Sequence, residues 1–272
     1  MRWSDIGESS NVDDRRGVGG PMMIGGGGLG VLVLALVIWL CGGDPSQLLQ
    51  SGGPDTGSVP HPGAASNRPM TEDQSRAFAG AIEKSLEDTW KQVLAQQVHV
   101  RYSDPTLVLF TGQVRSACGF TTAAVGPFYC PGDQKLYLDF AFFNELRQEF
   151  KAPGDFAQAY VIAHEFGHHI QNLTGTMNRL QGSNRASVAL ELQADCYAGI
   201  WGYYAQKQGR LDPGDTQEAL RAASAVGDDT IQKRTQGYVV PDSFTHGSSQ
   251  QRMQWFSRGF QSRNMSQCQT FK

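Results

Sequence analysis

The segment His164-Glu-Phe-Gly-His168 holds the residues whose types and spacing best suit metal chemistry. Two histidines four residues apart on a helix lie on one face, so both imidazoles can reach a single cation. Glu165 stands beside the first histidine, where its carboxylate can take a proton from a zinc-bound water as general base. Two neutral nitrogen ligands and a base are typical of a zinc hydrolase. The segment therefore predicts a site for one Zn²⁺ ion per chain.

A second pair of acidic residues could complete this site. Glu191 and Asp195 are again four apart, within a helix predicted over residues 185–206. We expect Glu191 to be the third metal ligand. Asp195 would then accept the free ring N–H of a liganding histidine and fix its tautomer. A solvated helix face is the alternative interpretation of this pair.

The elements around these residues must hold them in place. Asp155 is predicted to cap a helix over residues 156–173, which Gly175 ends. His169 points about 100° away from His168 around this helix. We therefore expect a structural or surface role for His169.

A further donor usually stabilises the negative charge that develops on the carbonyl oxygen during hydrolysis. His246 is the candidate, because it lies in Phe244-Thr-His-Gly just before a helix that Ser248 and Gln251 would cap. A structural histidine is an equally good interpretation, and Tyr238 is a weaker alternative donor.

The segments that carry these residues resemble a bacterial family called putative neutral zinc metallopeptidases, and the paired motifs are similar to the gluzincins. The segments are Ser116-Ala-Cys-Gly, Gly126-Pro-Phe-Tyr-Cys-Pro, Ala159-Tyr-Val-Ile-Ala-His-Glu-Phe-Gly-His-His, Glu191-Leu-Gln-Ala-Asp-Cys-Tyr-Ala-Gly and Phe244-Thr-His-Gly. The resemblance covers nearly the whole chain. It implies a zincin-like domain and a membrane-tethered hydrolase, with Glu191 matching the third ligand and Asp195 the supporting carboxylate.

Composition and strand patterns agree with a mainly helical α+β fold that contains a small sheet. Short strands are predicted at residues 106–110 and 135–140, and helices dominate the rest of residues 71–272. Zincin-type enzymes generally place an edge strand where an extended substrate can pair with it. Residues 116–130 could supply that edge or form a surface loop. A net charge of −3 gives no basic field that would suggest nucleic acid.

An uncharged stretch of residues 22–41 is long enough to cross a bilayer as a helix. Arg2, Arg15 and Arg16 precede it, whereas no lysine or arginine occurs between Cys41 and Arg68. The positive-inside rule then places the N-terminus in the cytoplasm and the domain outside it. A cleaved signal peptide is the alternative, but no Ala-x-Ala site follows closely.

These patterns predict four regions: a cytoplasmic tail (residues 1–21), a single transmembrane anchor (22–41), a flexible linker (42–70) and the metallopeptidase domain (71–272). The protein would be a single-pass protein of the cell membrane with an extracytoplasmic catalytic domain.

The predicted domain contains four cysteines, an even number that suggests two disulfides in an oxidising compartment. Cys118 with Cys130 would close a loop, and Cys196 with Cys268 would pin the C-terminal tail to the helix that carries Glu191. Four free thiols are the alternative. A separate zinc site is disfavoured, because no pair shows Cys-x-x-Cys spacing.

Three functions remain compatible with these residues. The first is a membrane-anchored zinc endopeptidase acting on peptide or protein substrates. The second is a zinc hydrolase that cleaves a non-peptide amide or ester with the same residues. The third is a binding module that keeps the fold without catalysis, against which the presence of Glu165 argues.

Overall fold

A computed structural model describes residues 1–17, 69–179 and 182–271 of the chain. In chain order the elements are β1 (Val12–Asp14), α1 (Glu72–Gln97), β2 (Thr106–Phe110), β3 (Gln113–Ser116), β4 (Gly119–Thr122), β5 (Phe128–Cys130), β6 (Lys135–Asp139), α2 (Ala141–Gln148), α3 (Asp155–Leu173), α4 (Thr176–Arg179), α5 (Asn184–Lys207), α6 (Asp215–Ala225), α7 (Asp228–Gln236) and α8 (Ser249–Ser262).

Four strands form one sheet in the order β1-β2-β6-β5. β1, β2 and β6 run parallel, and β5 pairs antiparallel with β6 at the edge. Side chains alternate between two apolar clusters, with Leu107 and Leu109 in the main core and Val108 and Phe110 in a smaller one on the other face. The strands β3 and β4 form a separate hairpin. No further described strand pairs with the free edge of β5.

Helix α3 lies in the main core, where it contacts α1, α5 and α6 as well as strands β5 and β6. Its apolar residues Phe156, Tyr160 and Phe166 are buried. A helix buried from several sides has little freedom to move. Side chains that it presents to a site are therefore held in a narrow geometry.

The helices α5 and α8 cross at two glycines. A β-carbon on Gly199 would overlap the carbonyl oxygen of Phe256, and one on Gly259 would overlap that of Cys196. Only glycine lets two backbones approach this closely. The crossing fixes α8 beside the segment of α5 that follows Glu191.

The predicted fold class is confirmed for the described residues, which are mainly helical with a small sheet. The capping box at Thr71 and Gln74 is present ahead of α1. The predicted cap at Asp155 is displaced by one residue, because Gly154 takes the N-cap position with a φ of 120° that favours glycine. Asp155 instead lies in the first turn of α3, where its charge suits the helix dipole.

Both predicted disulfides are present. Cys118 is joined to Cys130, which ties the β3–β4 hairpin to β5. Cys196 is joined to Cys268, which ties the C-terminal segment to α5. Each closes a loop that would otherwise add conformational entropy to the unfolded chain.

The prediction of a separate N-terminal tail is wrong for residues 1–17, which belong to the same compact unit as the domain. Strand β1 pairs with β2, and the ring of Trp3 packs edge-on against Phe78 at 5.3 Å between centroids. Ser9 and Asn11 both donate hydrogen bonds to Glu87. A polar composition hid this packing, because a three-residue strand and one tryptophan leave little periodic signal. The domain therefore includes residues that precede the predicted anchor.

Among the described residues, no helix is both long enough and apolar enough to cross a membrane. The predicted anchor at residues 22–41 lies outside the described residues, as does the predicted linker apart from residues 69 and 70. The pairing of β1 with β2 nevertheless constrains topology: residues 12–14 and the domain must share one side of any membrane.

Candidate active site

Helices α3 and α5 bring the predicted metal ligands together. They pack most closely at Gly167, where an added β-carbon would lie 3.0 Å from the backbone of Ala194. A side chain at this position would push the two helices apart. The glycine between the two histidines therefore helps Glu191 of α5 to reach them.

The carboxylate of Glu191 lies between the two imidazoles. Its Oε2 is 3.0 Å from Nε2 of His164, and its Oε1 is 3.3 Å from Nε2 of His168. Two ligands of a tetrahedral zinc ion with bonds of about 2.0–2.2 Å stand roughly 3.3 Å apart. The donor types and their spacing therefore fit the zinc ion that the motif implies.

Hydrogen bonds on the far side of each ring set its tautomer. Nδ1 of His164 donates to Oδ1 of Asp195 at 2.9 Å, and Nδ1 of His168 donates to Oε1 of Gln171 at 2.9 Å. The amide of Gln171 is itself oriented, because its Nε2 donates to the carbonyl oxygen of Leu190 at 2.6 Å. Each imidazole therefore presents its Nε2 to the shared site.

Asp195 is fully buried, and its charge is compensated by Arg252 from α8. Nε of Arg252 donates to Oδ2 at 2.8 Å and Nη2 donates to Oδ1 at 3.0 Å. The hydroxyl of Tyr160 also donates to Oδ1 at 2.5 Å. A buried pair of this kind contributes little net stability, but it fixes where the carboxylate stands.

The charges of the site are strongly coupled. Burial would lower the pKa of His164, but the Asp195 and Glu191 carboxylates together outweigh it and raise the pKa to about 10. Burial would raise the pKa of Glu191, but His168 and His164 hold it well below its usual range. The carboxylates thus concentrate negative charge where a proton or a divalent cation can bind.

Glu165 lines the cleft next to the two histidines. Its nearest carboxylate oxygen lies within 4.8 Å of ring nitrogens of both His164 and His168. Burial raises the pKa of Glu165, opposed by the charges of the two histidines. A carboxylate with a raised pKa is a better proton acceptor from water than an ordinary one.

A cleft of about 540 Å³ opens over these residues. Residues 126–129, which include Phe128 and Tyr129 of the edge strand β5, form one wall. Apolar side chains line much of the remainder: Phe142, Phe150, Val161, Met177, Leu190, Val226 and Ile231. The cleft therefore joins an unpaired strand edge to the two histidines and Glu165.

His246 lines the same cleft, and its side chain is 51% exposed. Its Nδ1 lies 3.1 Å from Oδ1 of Asp228, the first residue of α7. The other carboxylate oxygen accepts from the backbone N–H groups of residues 245, 246 and 247. Asp228 thus holds both the loop and the ring, and its hydrogen bond raises the pKa of His246 against the opposing effect of burial. Tyr238, the weaker alternative, is exposed and does not line the cleft.

His169 has a structural position, and the surface alternative is wrong. The side chain is fully buried, and its Nε2 donates to the carbonyl oxygen of Ser103 at 2.8 Å. Burial lowers the pKa of His169 to about 4, so the ring is neutral near pH 7. With Nε2 protonated, Nδ1 accepts from the hydroxyl of Tyr129 at 3.1 Å.

Sequence reasoning missed four residues that support the site. Gln171 could have been found, because it lies three residues after His168 on the same helix face. Arg252, Tyr160 and Asp228 reach their partners only through helix packing, and no local pattern marks them.

The chain was compared with known proteins. The family model described as "Putative neutral zinc metallopeptidase" matches residues 1–271. The uncharacterized protein YpfJ of Escherichia coli strain K12 is 45% identical over 288 aligned positions, which cover 100% of this chain and 99% of YpfJ. The uncharacterized proteins Rv2575 of Mycobacterium tuberculosis and Mb2605 of Mycobacterium bovis are 40% identical over 251 positions, covering 85% of this chain and 84% of each relative. No solved structure matches the chain. The match over nearly its full length shows that this chain belongs to the family of putative neutral zinc metallopeptidases.

Proposed function

We propose that this protein is a zinc-dependent endopeptidase that hydrolyses extended peptide segments. The observation that carries the proposal is the Glu191 carboxylate at 3.0 and 3.3 Å from the two Nε2 atoms, with Glu165 lining the same cleft. His164, His168 and Glu191 would hold one zinc ion. When bound, zinc supplies a Lewis acid that lowers the pKa of water and polarises a carbonyl group.

Glu165 acts as the general base in this proposal. It takes a proton from the attacking water and passes it to the leaving amine, so one carboxyl group serves both halves of the reaction. Its position supports this role, because its carboxylate lies within 4.8 Å of ring nitrogens of both histidines, whereas Glu191 lies at 3.0 and 3.3 Å from their Nε2 atoms. Asp195 and Gln171 do not touch substrate and act by orienting the two histidines.

The edge strand β5 supports a peptide substrate over a small non-peptide amide or ester. It borders the cleft, and an extended chain could add to its free edge through backbone hydrogen bonds. The apolar side chains along the cleft would take the apolar side chains of such a chain.

Purified protein should cleave unfolded protein and peptides of eight or more residues. A chelator should abolish the cleavage because it removes the zinc ion that the proposed ligands hold. Added Zn²⁺ should restore the cleavage by refilling the site. Mass spectrometry of the products measures both the rate and the cleaved bonds. Chelator-sensitive hydrolysis of small esters alone would select the non-peptide hydrolase. If the zinc-loaded protein hydrolyses neither peptides nor esters, the non-catalytic binding module is the alternative that remains.

His246 is proposed to stabilise the negative charge on the carbonyl oxygen as a protonated donor. Removing one such donor costs about 10²–10³ in kcat, the loss expected for His246→Ala. Because the protonated form is active, kcat should fall as pH rises through the raised pKa of His246. Asp228→Asn replaces the charged acceptor of His246 with a neutral amide, which favours the protonated ring less, so the alkaline limb of the kcat profile should move to lower pH.

The matched control for this pH profile is Asp229→Asn. Asp229 is the neighbouring carboxylate, but it accepts from Ser249 and does not contact His246. The alkaline limb should stay in place in this variant. A profile that is identical in Asp228→Asn and the parent enzyme would remove His246 from the proposed role.

We further propose that the domain works outside the cytoplasm and is attached to a membrane through residues 22–41. The two disulfides support an oxidising compartment. The pairing of β1 with β2 places residues 1–17 with the domain, so the cytoplasmic N-terminus is not retained in this proposal. The test is whether a protease added to intact cells cleaves residues 1–17 and the domain. Protection of the domain from the added protease would reject the placement.

A further inference from the structure

One contact joins the metal-motif helix directly to the wall of the cleft. The hydroxyl of Tyr129, the middle residue of β5, donates to Nδ1 of His169 at 3.1 Å and accepts from Nδ2 of Asn172 at 2.9 Å. His169 and Asn172 both belong to α3, and His169 directly follows the proposed ligand His168. Hydrogen bonds through one phenol group therefore reinforce the packing of β5 on the ligand helix.

The direction of these hydrogen bonds makes His169 specific for this task. Its Nε2 donates to the Ser103 carbonyl oxygen, an acceptor that cannot donate in return. Nδ1 must then be unprotonated and available to Tyr129. The ring is fully buried, so neither contact can be exchanged for water without cost.

Strand β5 needs such a link because it is short and lies at the sheet edge. Its three residues pair with β6, and no other strand in the described part of the chain pairs with them. The Cys118–Cys130 disulfide ties it to the β3–β4 hairpin, which lies outside the main sheet. Both β5 and β6 also pack against α3. The Tyr129 hydroxyl adds directed hydrogen bonds to two α3 side chains, and these bonds orient the strand edge relative to the ligands on α3.

We propose that His169 is a positioning residue for the substrate: through Tyr129 it holds the free edge of β5 in register with the ligands on α3. The proposal rests on the endopeptidase function. It assigns to the Tyr129–His169 hydrogen bond an effect on the affinity for an extended peptide. It assigns no role to His169 in holding the metal or in proton transfer.

The test compares KM and kcat for an octapeptide with those for a blocked dipeptide too short to pair along β5. Tyr129→Phe removes only the hydroxyl. It should raise KM for the octapeptide at least about 2- to 12-fold, the range for loss of one neutral hydrogen bond, because the hydroxyl makes two. The rise in KM should be smaller for the dipeptide, and zinc content per chain should equal that of the parent.

Two substitutions of His169 separate positioning from mere packing. His169→Asn places an amide oxygen as many bonds from Cα as Nδ1, so it can still accept from Tyr129. His169→Gln places its amide where Nε2 stands, so it can still donate to Ser103 but leaves Tyr129 without its acceptor. KM for the octapeptide should be near that of the parent in His169→Asn and raised in His169→Gln. In the double variant that combines His169→Gln with Tyr129→Phe, KM should rise no further, because the same contact is already lost.

The outcomes distinguish this proposal from the function on which it rests. A parent enzyme that cleaves no peptide rejects both. A parent that cleaves the octapeptide, with Tyr129→Phe unchanged in KM or altered equally for both substrate lengths, rejects the positioning role alone. A loss of zinc in Tyr129→Phe also rejects it, because the contact would then serve the metal site. If the His169 variants fail to fold, the KM values of Tyr129→Phe still test the positioning role.

Discussion

Glu165→Gln should keep close to one zinc ion per chain while losing hydrolysis by about 10²–10⁴-fold, the usual contribution of a general base. The amide has nearly the same shape as the carboxylate but cannot accept a proton from water. Glu165 lies beside the ligands without bridging them, so the ion should stay bound. Metal analysis and peptide hydrolysis on the same preparation measure both quantities.

The matched control for this result is Glu145→Gln. Glu145 also lines the cleft, but it belongs to α2 and is exposed. Its substitution removes the same charge from the same cleft without removing the proposed base, so hydrolysis should persist. Undiminished activity in Glu165→Gln would reject the assigned base. Equal losses in both variants would point to the charge of the cleft instead of proton transfer.

Local patterns were sufficient for the parts of the fold that depend on neighbouring residues. The strand predicted at residues 106–110 and the helix predicted at 185–206 agree with β2 and α5 to within two residues. The capping box at Ser248 and Gln251 is present ahead of α8. Two histidines at helical spacing needed only helix geometry to share a face.

The rest depends on contacts between distant parts of the chain. β1 pairs with β2 across about 90 residues, and a three-residue polar strand has no periodicity from which to infer it. Arg252 reaches Asp195 only because Gly199 and Gly259 let α5 and α8 touch. Such contacts depend on how distant elements pack together, and a single sequence contains no local pattern from which that packing can be inferred.

The roles of acidic residues show the same division. Glu191 and Asp195 were inferred from spacing alone, and the structure places them on opposite nitrogens of His164. For Asp228 no spacing pattern indicates a partner. Its place beside His246 became visible only from the loop that joins α7 to α8. A carboxylate that shares a helix face with a second one at four-residue spacing is thus easier to infer than one whose partner lies on a loop between two helices.

Glu191→Ala should lower zinc content sharply and abolish hydrolysis. The substitution removes the only carboxylate that contacts Nε2 of both histidines among the described residues. Two imidazoles alone leave a zinc ion with half of its usual protein and water ligands, so affinity should fall by more than the roughly 10–100-fold that follows loss of a supporting residue. Zinc per chain after dialysis against a competing chelator of known affinity measures the change.

Asp195→Asn is the graded comparison, because it keeps the three proposed ligands and weakens only the orientation of His164. Its zinc affinity should lie between those of the parent and Glu191→Ala. Arg252 would then lose its buried partner, so a thermal unfolding measurement has to accompany the metal titration. Zinc content unchanged in a folded Glu191→Ala variant would place the third ligand elsewhere. In that case the approach of α5 to α3 at Gly167 would serve packing alone.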